Sequence, residues 1–387
     1  MKAGIAALVV AYVLSQFYRA FLAVLTPVLA KDIGAGPDTL ADASGLWFLA
    51  FAAMQIPVGW MLDRIGPRLT AAGLLAVGGG GGAALFATAT TAQDITLAMG
   101  LIGIGCSPVL MASYYLFARF YPPALFGTLA GATVGFGNLG NIGASIPLNW
   151  AVDAFGWRAA VMSLAGITLV VALMIITLLR DPPRVVSTQK GRLVDLFRIG
   201  KLWPVLIMMA VCYAPMAVLR GLWIGPYYRE VWGADAAGIA QISLWMGIAM
   251  IAGNFAYGPA ERLFRTRKGV VMGGNLITFV CFAALFLAPA HSVFLSGLLI
   301  VVIGFFGSSF PLAVAHGRAF VPAELTGRGV TLLNLFGIGS VGVTQFITGR
   351  IYTQTAEGMA FPAIFGFIAA TLAIGMVVYA FSTDSRD

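Results

Sequence analysis

From Gly4 to Phe381 the chain is a succession of apolar runs, each about twenty residues or longer, separated by short charged or Gly/Pro-rich breaks. Roughly 20 apolar residues is what a helix needs to cross the hydrocarbon layer of a bilayer. Inside that layer a lone segment satisfies its backbone polar groups only as a helix. The runs predict helices near 5–30, 44–63, 69–90, 94–118, 126–150 and 158–179, then near 203–227, 238–259, 269–288, 293–315, 327–349 and 360–382. They are called helix 1 to helix 12 in chain order. One long polar stretch, Arg180 to Lys201, interrupts them and carries Arg184, Lys190, Arg192 and Arg198. The expected fold class is therefore an all-α integral membrane protein, with twelve transmembrane helices in two pseudo-symmetric six-helix bundles. The expected divisions are an N-terminal bundle over 1–180, a cytoplasmic linker over 181–201 and a C-terminal bundle over 202–387.

Composition closes off other classes. Hydrophobic residues make up 60% of the 387 and charged residues 10%, whereas a soluble surface needs roughly 25% charged. The three cysteines, Cys106, Cys212 and Cys281, lie inside apolar runs and are too few for a disulfide scaffold. A formal charge of +8 would suit nucleic acid only as a basic stripe on a soluble face. Instead the basic residues crowd into the loops on one side, with Arg64, Arg68, Arg119, Arg262, Arg265, Arg267, Lys268, Arg318 and Arg328 joining the linker. Only Lys31, Arg158, Arg229 and Arg350 fall opposite. Cytoplasmic loops retain Lys and Arg, so the pattern predicts a multi-pass inner-membrane protein with both termini cytoplasmic and no nucleic-acid partner. The first run is too long for a signal-peptide core and holds Arg19 mid-span, so it reads as the first membrane helix. The sequence has no zinc motif, no phosphate loop, no paired carboxylates in a membrane core and no core histidine beside a nucleophile. Neither an enzyme nor a cofactor is expected, and the partners expected are a small-molecule substrate and the lipid bilayer, with the chain working as a monomer.

The halves echo one another, as in transporters built from repeats. Tyr12 and Arg19 on helix 1 are seven residues apart, as are Tyr213 and Arg220 on helix 7, which is two turns along one face. Asp63-Arg64 follows helix 2, and Glu261-Arg262 follows helix 8.

The segment Gly59-Trp60-Met61-Leu62-Asp63-Arg64-Ile65-Gly66-Pro67-Arg68 resembles the signature G-x-x-x-D-R-x-G-R-R of the major facilitator superfamily, with Pro67 replacing one basic residue. The resemblance extends over nearly the whole chain, through the degenerate copy at Gly258-Pro259-Ala260-Glu261-Arg262, Arg119 at the end of helix 4 and Gly156-Trp157-Arg158 leading into helix 6. It implies a secondary transporter that rocks about a midplane site, with helices 1, 4, 7 and 10 lining the pathway. It also implies that Asp63, Arg64, Arg68 and Arg119, with Gly59 and Gly66 in the motif and Glu261 and Arg262 in its copy, form a charge network closing the cytoplasmic side. The alternative is that these charges only anchor helix ends at the headgroups.

Arg19 and Arg220 are the sharpest signal within the spans. A cationic side chain at mid-membrane costs ~2.5–3.5 kcal/mol on insertion scales and calls for a wet cavity or a partner. All 15 acidic residues lie in loops or at helix ends, so the counter-charge is open to the substrate. The planar guanidinium fork suits carboxylate, phosphate or similar oxygens. Each arginine could equally be held by carbonyls or aromatic faces and serve packing. Tyr12, Gln16, Tyr213, Met216, Trp223, Tyr114 and Tyr115 stand as candidates to line the same cavity. Without a membrane carboxylate, exchange or facilitated transport is favoured over simple proton coupling, with an end-of-helix acid or His316 left as the alternative proton carrier.

Small residues on helix 5, among them Gly135, with Asn138 and Asn141, and on helix 11, with Asn334 and Gln345, predict closely packed helices at the bundle interface. The asparagines are open to packing or cavity-lining roles. The run Gly78 to Gly82 in helix 3 reads as a close-packing or flexible patch with no chemistry. Met246 and Met250, one turn apart on helix 8, with Cys212, suit soft Cu(I) and resemble the Met-x-x-x-Met motif of copper importers of this superfamily. A copper importer and a non-transporting receptor of the same fold are the alternatives to an anion carrier.

Overall fold

The computed structural model describes residues 2–35, 37–144, 146–183, 193–234, 236–356 and 358–385. Among them there is no strand, and the helices fall into twelve passes. Helix 1 is Lys2–Ile33, helix 2 is Pro37–Ala53 with Gln55–Arg64, and helix 3 joins Pro67–Leu74, a π-helical Leu75–Gly80 and Gly81–Ala87. Helix 4 is Ala92–Cys106 with Val109–Phe120, helix 5 is Pro123–Gly143 with Ile146–Phe155, and helix 6 is Trp157–Leu178. Helix 7 joins Trp203–Cys212, Ala214–Val218, a π-helical Leu219–Trp223 and Ile224–Trp232. Helices 8 to 12 are Ala236–Phe264, Arg267–Leu287, Val293–Phe306 with Phe310–Arg318, Thr326–Gln354 and Ala360–Ala380. Ten of the passes are individually long and apolar enough to cross a membrane. Helices 5 and 8 are the other two. In the expected linker, Leu193–Phe197 is a short helix, whereas Arg184, Lys190 and Arg192 lie outside the described residues.

Several passes that read as continuous are broken, and prolines mark the breaks. Proline has no N–H for the carbonyl four residues earlier. Pro57 follows the break at Met54 in helix 2, where Gln55 Nε2 donates to the Phe51 carbonyl at 3.1 Å. Pro108 interrupts helix 4, and Ser107 Oγ takes the stranded Ile104 carbonyl at 2.6 Å. Pro311 sits just past the matching break in helix 10, where Ser308 Oγ donates to the Gly304 carbonyl at 2.9 Å. Helices 4 and 10 thus break at matching points of the repeat. Pro215 follows the break at Tyr213 in helix 7, and Arg220 lies in the π-helical segment beyond it.

The chain forms two compact units. The first is Met1–Tyr121, Phe136–Gly191 and Ala323–Leu332; the second is Pro122–Gly135, Arg192–Pro322 and Leu333–Asp387. The start of helix 5 therefore clusters with the later half of the chain, and the start of helix 11 with the earlier half. The first unit is tied internally by contacts such as Tyr18 to Thr168 Oγ1 at 2.8 Å. Tyr227, Phe282, Phe361 and Phe365 centre the aromatic core of the second. Large apolar side chains such as Val170, Leu173, Val343, Ile374 and Val377 stay exposed, the surface expected where lipid rather than water surrounds the helices.

Candidate functional site

The motif after helix 2 acts as a helix cap. Gly59 and Asp63 lie one turn apart on one face. A Cβ on Gly59 would overlap Thr331 Oγ1 and come within 3.0 Å of the Arg328 Cα, so glycine lets the start of helix 11 approach. Asp63 then accepts from the backbone N–H groups of Gly327 at 2.8 Å and Arg328 at 3.3 Å. A carboxylate at a helix N-terminus meets unpaired N–H groups and the positive end of the helix dipole. The Arg328 side chain adds an ion pair, Nε to Asp63 Oδ2 at 3.2 Å. Arg119 Nη2 donates to the Ala323 carbonyl at 2.6 Å and stacks over the Tyr115 ring at 5.3 Å. Gly66 has φ +106°, and a Cβ there would run into the Asp181 carboxylate, which accepts from the Arg68 N–H at 2.8 Å and caps helix 3.

The degenerate copy after helix 8 uses other partners. Glu261 pairs with Arg267 at 2.7 Å, and both side chains are completely buried. Arg267 also donates to the carbonyl of Pro123 at 2.6 Å and, at 3.4 Å each, to those of Ala315 and Ser385. Glu261 presses against Gly127 of helix 5. Lys268 Nζ holds the Ala380 and Ser382 carbonyls at 2.6 and 2.7 Å.

Of the residues expected in this network, Asp63, Arg119 and Glu261 supply side-chain contacts, and Gly59 and Gly66 supply space. Arg68 contributes its backbone N–H, whereas Arg64 and Arg262 make no ion pair among the described residues. Each of those two follows its acid by one position, which on a helix points it about 100° away. Arg328, Asp181 and Arg267, which the motif does not mark as partners, take their place. At the opposite end of the first unit, Asp32 pairs with Arg158 and accepts from Trp157 Nε1 at 3.0 Å. These contacts, Arg158 first and then Trp157, hold the Asp32 carboxyl below its ordinary range.

In the first unit the Arg19 guanidinium carbon lies 4.9 Å from the centroid of Trp47 and 5.0 Å from that of Phe51. Its Nε is buried without a hydrogen-bond partner, as are Gln16 Oε1 and Asn138 Nδ2. Tyr12 and Gln16 pack against Gly137 of helix 5, and Asn141 Nδ2 donates to Asn138 Oδ1 at 3.2 Å. Tyr114 is buried, and Tyr115 lies with the Arg119 network.

In the second unit Arg220 Nη2 is 3.5 Å from the position a Cβ on Gly247 would occupy; helix 8 leaves that gap for the guanidinium. Neither Arg19 nor Arg220 pairs with an acid among the described residues. Trp223 Nε1 donates to Thr348 Oγ1 at 2.9 Å and its ring lies 5.0 Å from Tyr352. Tyr213 packs on Phe310 at 5.1 Å, and Met216 Sδ accepts from Ser308 Oγ at 3.6 Å. Met246 and Met250 are buried in the apolar core of this unit. Cys212 is buried as well, and among the described residues no cluster of three His, Cys, Asp or Glu forms.

Helices 5 and 11, read as partners, meet other helices within the units. Gly131 and Gly135 abut Asn254 and Phe255 of helix 8, and Gly140 abuts Val13 and Phe17 of helix 1. Gly337 abuts Phe310 and Met209, Gln345 sits by Gly221, and Asn334 is buried. Trp47, Phe51 and Gly247 escape a reading of the sequence. The one available signal is that Trp47 and Phe51 are four apart, on one face of helix 2.

Residues 8–256 match the sequence profile of the Major Facilitator Superfamily. The chain is 23% identical over 300 residues to a probable sulfoacetate transporter, SauU, of Cupriavidus necator, covering 72% of this chain and 69% of that protein. Its fold is similar to that of FucP in the outward conformation, at a TM-score of 0.80 and 15% identity, over 98% of this chain and 99% of that one. It is also similar to that of the human organic anion transporter MFSD10, at a TM-score of 0.75 and 14% identity, over 98% and 99%.

Proposed function

This chain belongs to the major facilitator superfamily, and from that premise we propose that it carries a small organic anion across the inner membrane by alternating access, with both termini in the cytoplasm. The observation that supports the cargo is a pair of arginines at matching places of the repeat. Arg19 on helix 1 and Arg220 on helix 7 are seven residues after Tyr12 and Tyr213, and neither is neutralised by an acid among the described residues. A passenger with carboxylate or sulfonate oxygens supplies the missing charge to a guanidinium fork. The likeness to a probable sulfoacetate transporter makes a short sulfonate or carboxylate the first class to test.

With no carboxylate in the membrane cores, the cycle runs as exchange or facilitated movement rather than through protonation of a core acid. The capping pair at Asp63 and the buried pair at Glu261 serve as the ties of the cytoplasmic side. The protein is a carrier and not a catalyst in this reading.

The test is counterflow of sulfoacetate and of a panel of short sulfonates and carboxylates into proteoliposomes. Arg19→Gln and Arg220→Gln should each reduce uptake of the transported anion at least tenfold, since losing a charge-assisted hydrogen bond of ~1.5–3 kcal/mol is roughly ten- to a hundredfold. Uptake unchanged in both variants would reject the anion reading and leave the carrier fold standing.

A further inference from the structure

The chemistry around Arg19 lies on helix 2, where no charge or motif draws the eye. Trp47 and Phe51 are stacked 5.1 Å apart with an interplanar angle of 16°. The Arg19 guanidinium lies within 5.0 Å of both ring centroids, inside the ~6 Å at which a cation is attracted by an aromatic face. The rings are fixed. Trp47 is 1% and Phe51 2% exposed. A Cβ on Gly103 of helix 4 would overlap the Trp47 carbonyl, and one on Gly100 would crowd Leu46, so helix 2 is locked against helix 4 at this level. One turn beyond, the Pro57-linked break at Met54 separates this rigid piece from the segment bearing Asp63.

We propose that Trp47 and Phe51 are positioning residues that hold Arg19 by cation–π contact and leave the edge of its guanidinium for the oxygens of an anion. This rests on the anion reading of Arg19. The physical reason is that a cation in an apolar span needs a counter-interaction even when the site is empty. A carboxylate in that role would neutralise the charge and compete with an anionic passenger. An aromatic face attracts the cation without cancelling its charge, and a guanidinium carries its N–H donors around the rim of the plane. Gln16, one turn before Arg19, and Asn138, beside the Gly137 that Gln16 packs against, each keep a buried amide atom without a partner. Of the two, Asn138 Nδ2 is a donor and extends the face toward the same anion, whereas Gln16 Oε1 only accepts.

The test is sulfoacetate counterflow in proteoliposomes, with KM and maximal rate measured for Trp47→Phe, Trp47→Leu, Phe51→Leu and Arg19→Gln. Trp47→Leu and Phe51→Leu should each raise KM roughly thirtyfold, the worth of a desolvated cation–π contact, with the maximal rate held. Trp47→Phe, which keeps a ring face, should stay within a few-fold of the parent. If Arg19→Gln abolishes uptake while both leucine variants keep the parental KM, the positioning role is wrong and the anion site survives. Parental uptake in Arg19→Gln, or no uptake by the parent of sulfoacetate or of any anion in the panel, overturns the cargo reading and this role together. Should Trp47→Leu give no folded protein by size-exclusion chromatography, Phe51→Leu decides by the same criterion.

Discussion

Asp63 stands near the end of helix 2 and Glu261 in the last turn of helix 8, and each acid lies against a glycine near the start of another helix, Gly327 of helix 11 or Gly127 of helix 5. The arrangements differ in depth. Asp63 caps two N–H groups and pairs with Arg328, the side chains being 5% and 11% exposed. Glu261 and Arg267 are 0% exposed. The remaining N–H groups of Arg267 are spread over carbonyls from helix 5, helix 10 and the C-terminal segment. The copy that has drifted furthest from the motif therefore makes the more deeply buried pair, while the copy that keeps the motif makes the shallower one. A cap at a rim exchanges its partners for water at small cost, whereas an isolated buried charge is expensive. In the proposed transport cycle the cap at Asp63 is therefore the junction expected to release, and the pair at Glu261 the one expected to stay closed as a staple.

The sharpest way to break this comparison is Arg267→Met, which takes the Arg267 ion pair away from the completely buried Glu261. Removing one partner of such a pair costs about 3–5 kcal/mol, so the variant should show a large fall in melting temperature in detergent and poor yield. Glu261→Gln combined with Arg267→Met should recover part of that loss, because the buried carboxylate is removed together with its cation. Asp63→Asn should do far less to stability. It keeps an acceptor at the helix start and forfeits the charge, an effect on the scale of a helix cap, about 1 kcal/mol. Its effect should fall on function, as a changed rate of counterflow with little change in melting temperature. If the two substitutions lower the melting temperature equally, the division into staple and releasable cap is wrong.

What was legible in the sequence follows from range. The passes are written in runs of neighbouring residues, so the twelve helices emerge from hydrophobic patterning alone. The cap at Asp63 is half written: Gly59, Asp63 and Gly66 share one local motif, but Arg328 lies 265 positions away and Asp181 lies 113 positions from the Arg68 it caps. Nothing near the motif names them. The aromatic hold on Arg19 escaped for another reason, since Trp47 and Phe51 at a spacing of four look like any apolar face. The helix breaks were legible in principle, because Pro57, Pro108, Pro215 and Pro311 each strand a carbonyl. Hydropathy averages over them, and only the backbone path reveals that Ser107 takes up the carbonyl freed by Pro108.

A third pair extends the scale to its exposed limit and carries the smallest expected effect. Asp32 and Arg158 are about half exposed, at 45% and 46%, so water and salt screen them. Their linkage to pH still has a definite sign. The folded-state pKa of Asp32 is lowered, first by Arg158 and then by Trp157. The contact therefore stabilises the fold above the ordinary carboxylate pKa of about 3.9, and that stabilisation is lost as pH falls through the lower folded value. Asp32→Asn cannot titrate there. The difference in melting temperature between parent and Asp32→Asn should be small and constant from pH 7 to 5, then shrink below about pH 4. It should also shrink at 1 M salt, where the screening length falls to about 3 Å. A difference as large as that produced by Arg267→Met, or one indifferent to both salt and acid, would mean that exposure does not set the worth of these pairs, and the contrast between Asp63 and Glu261 would need another cause.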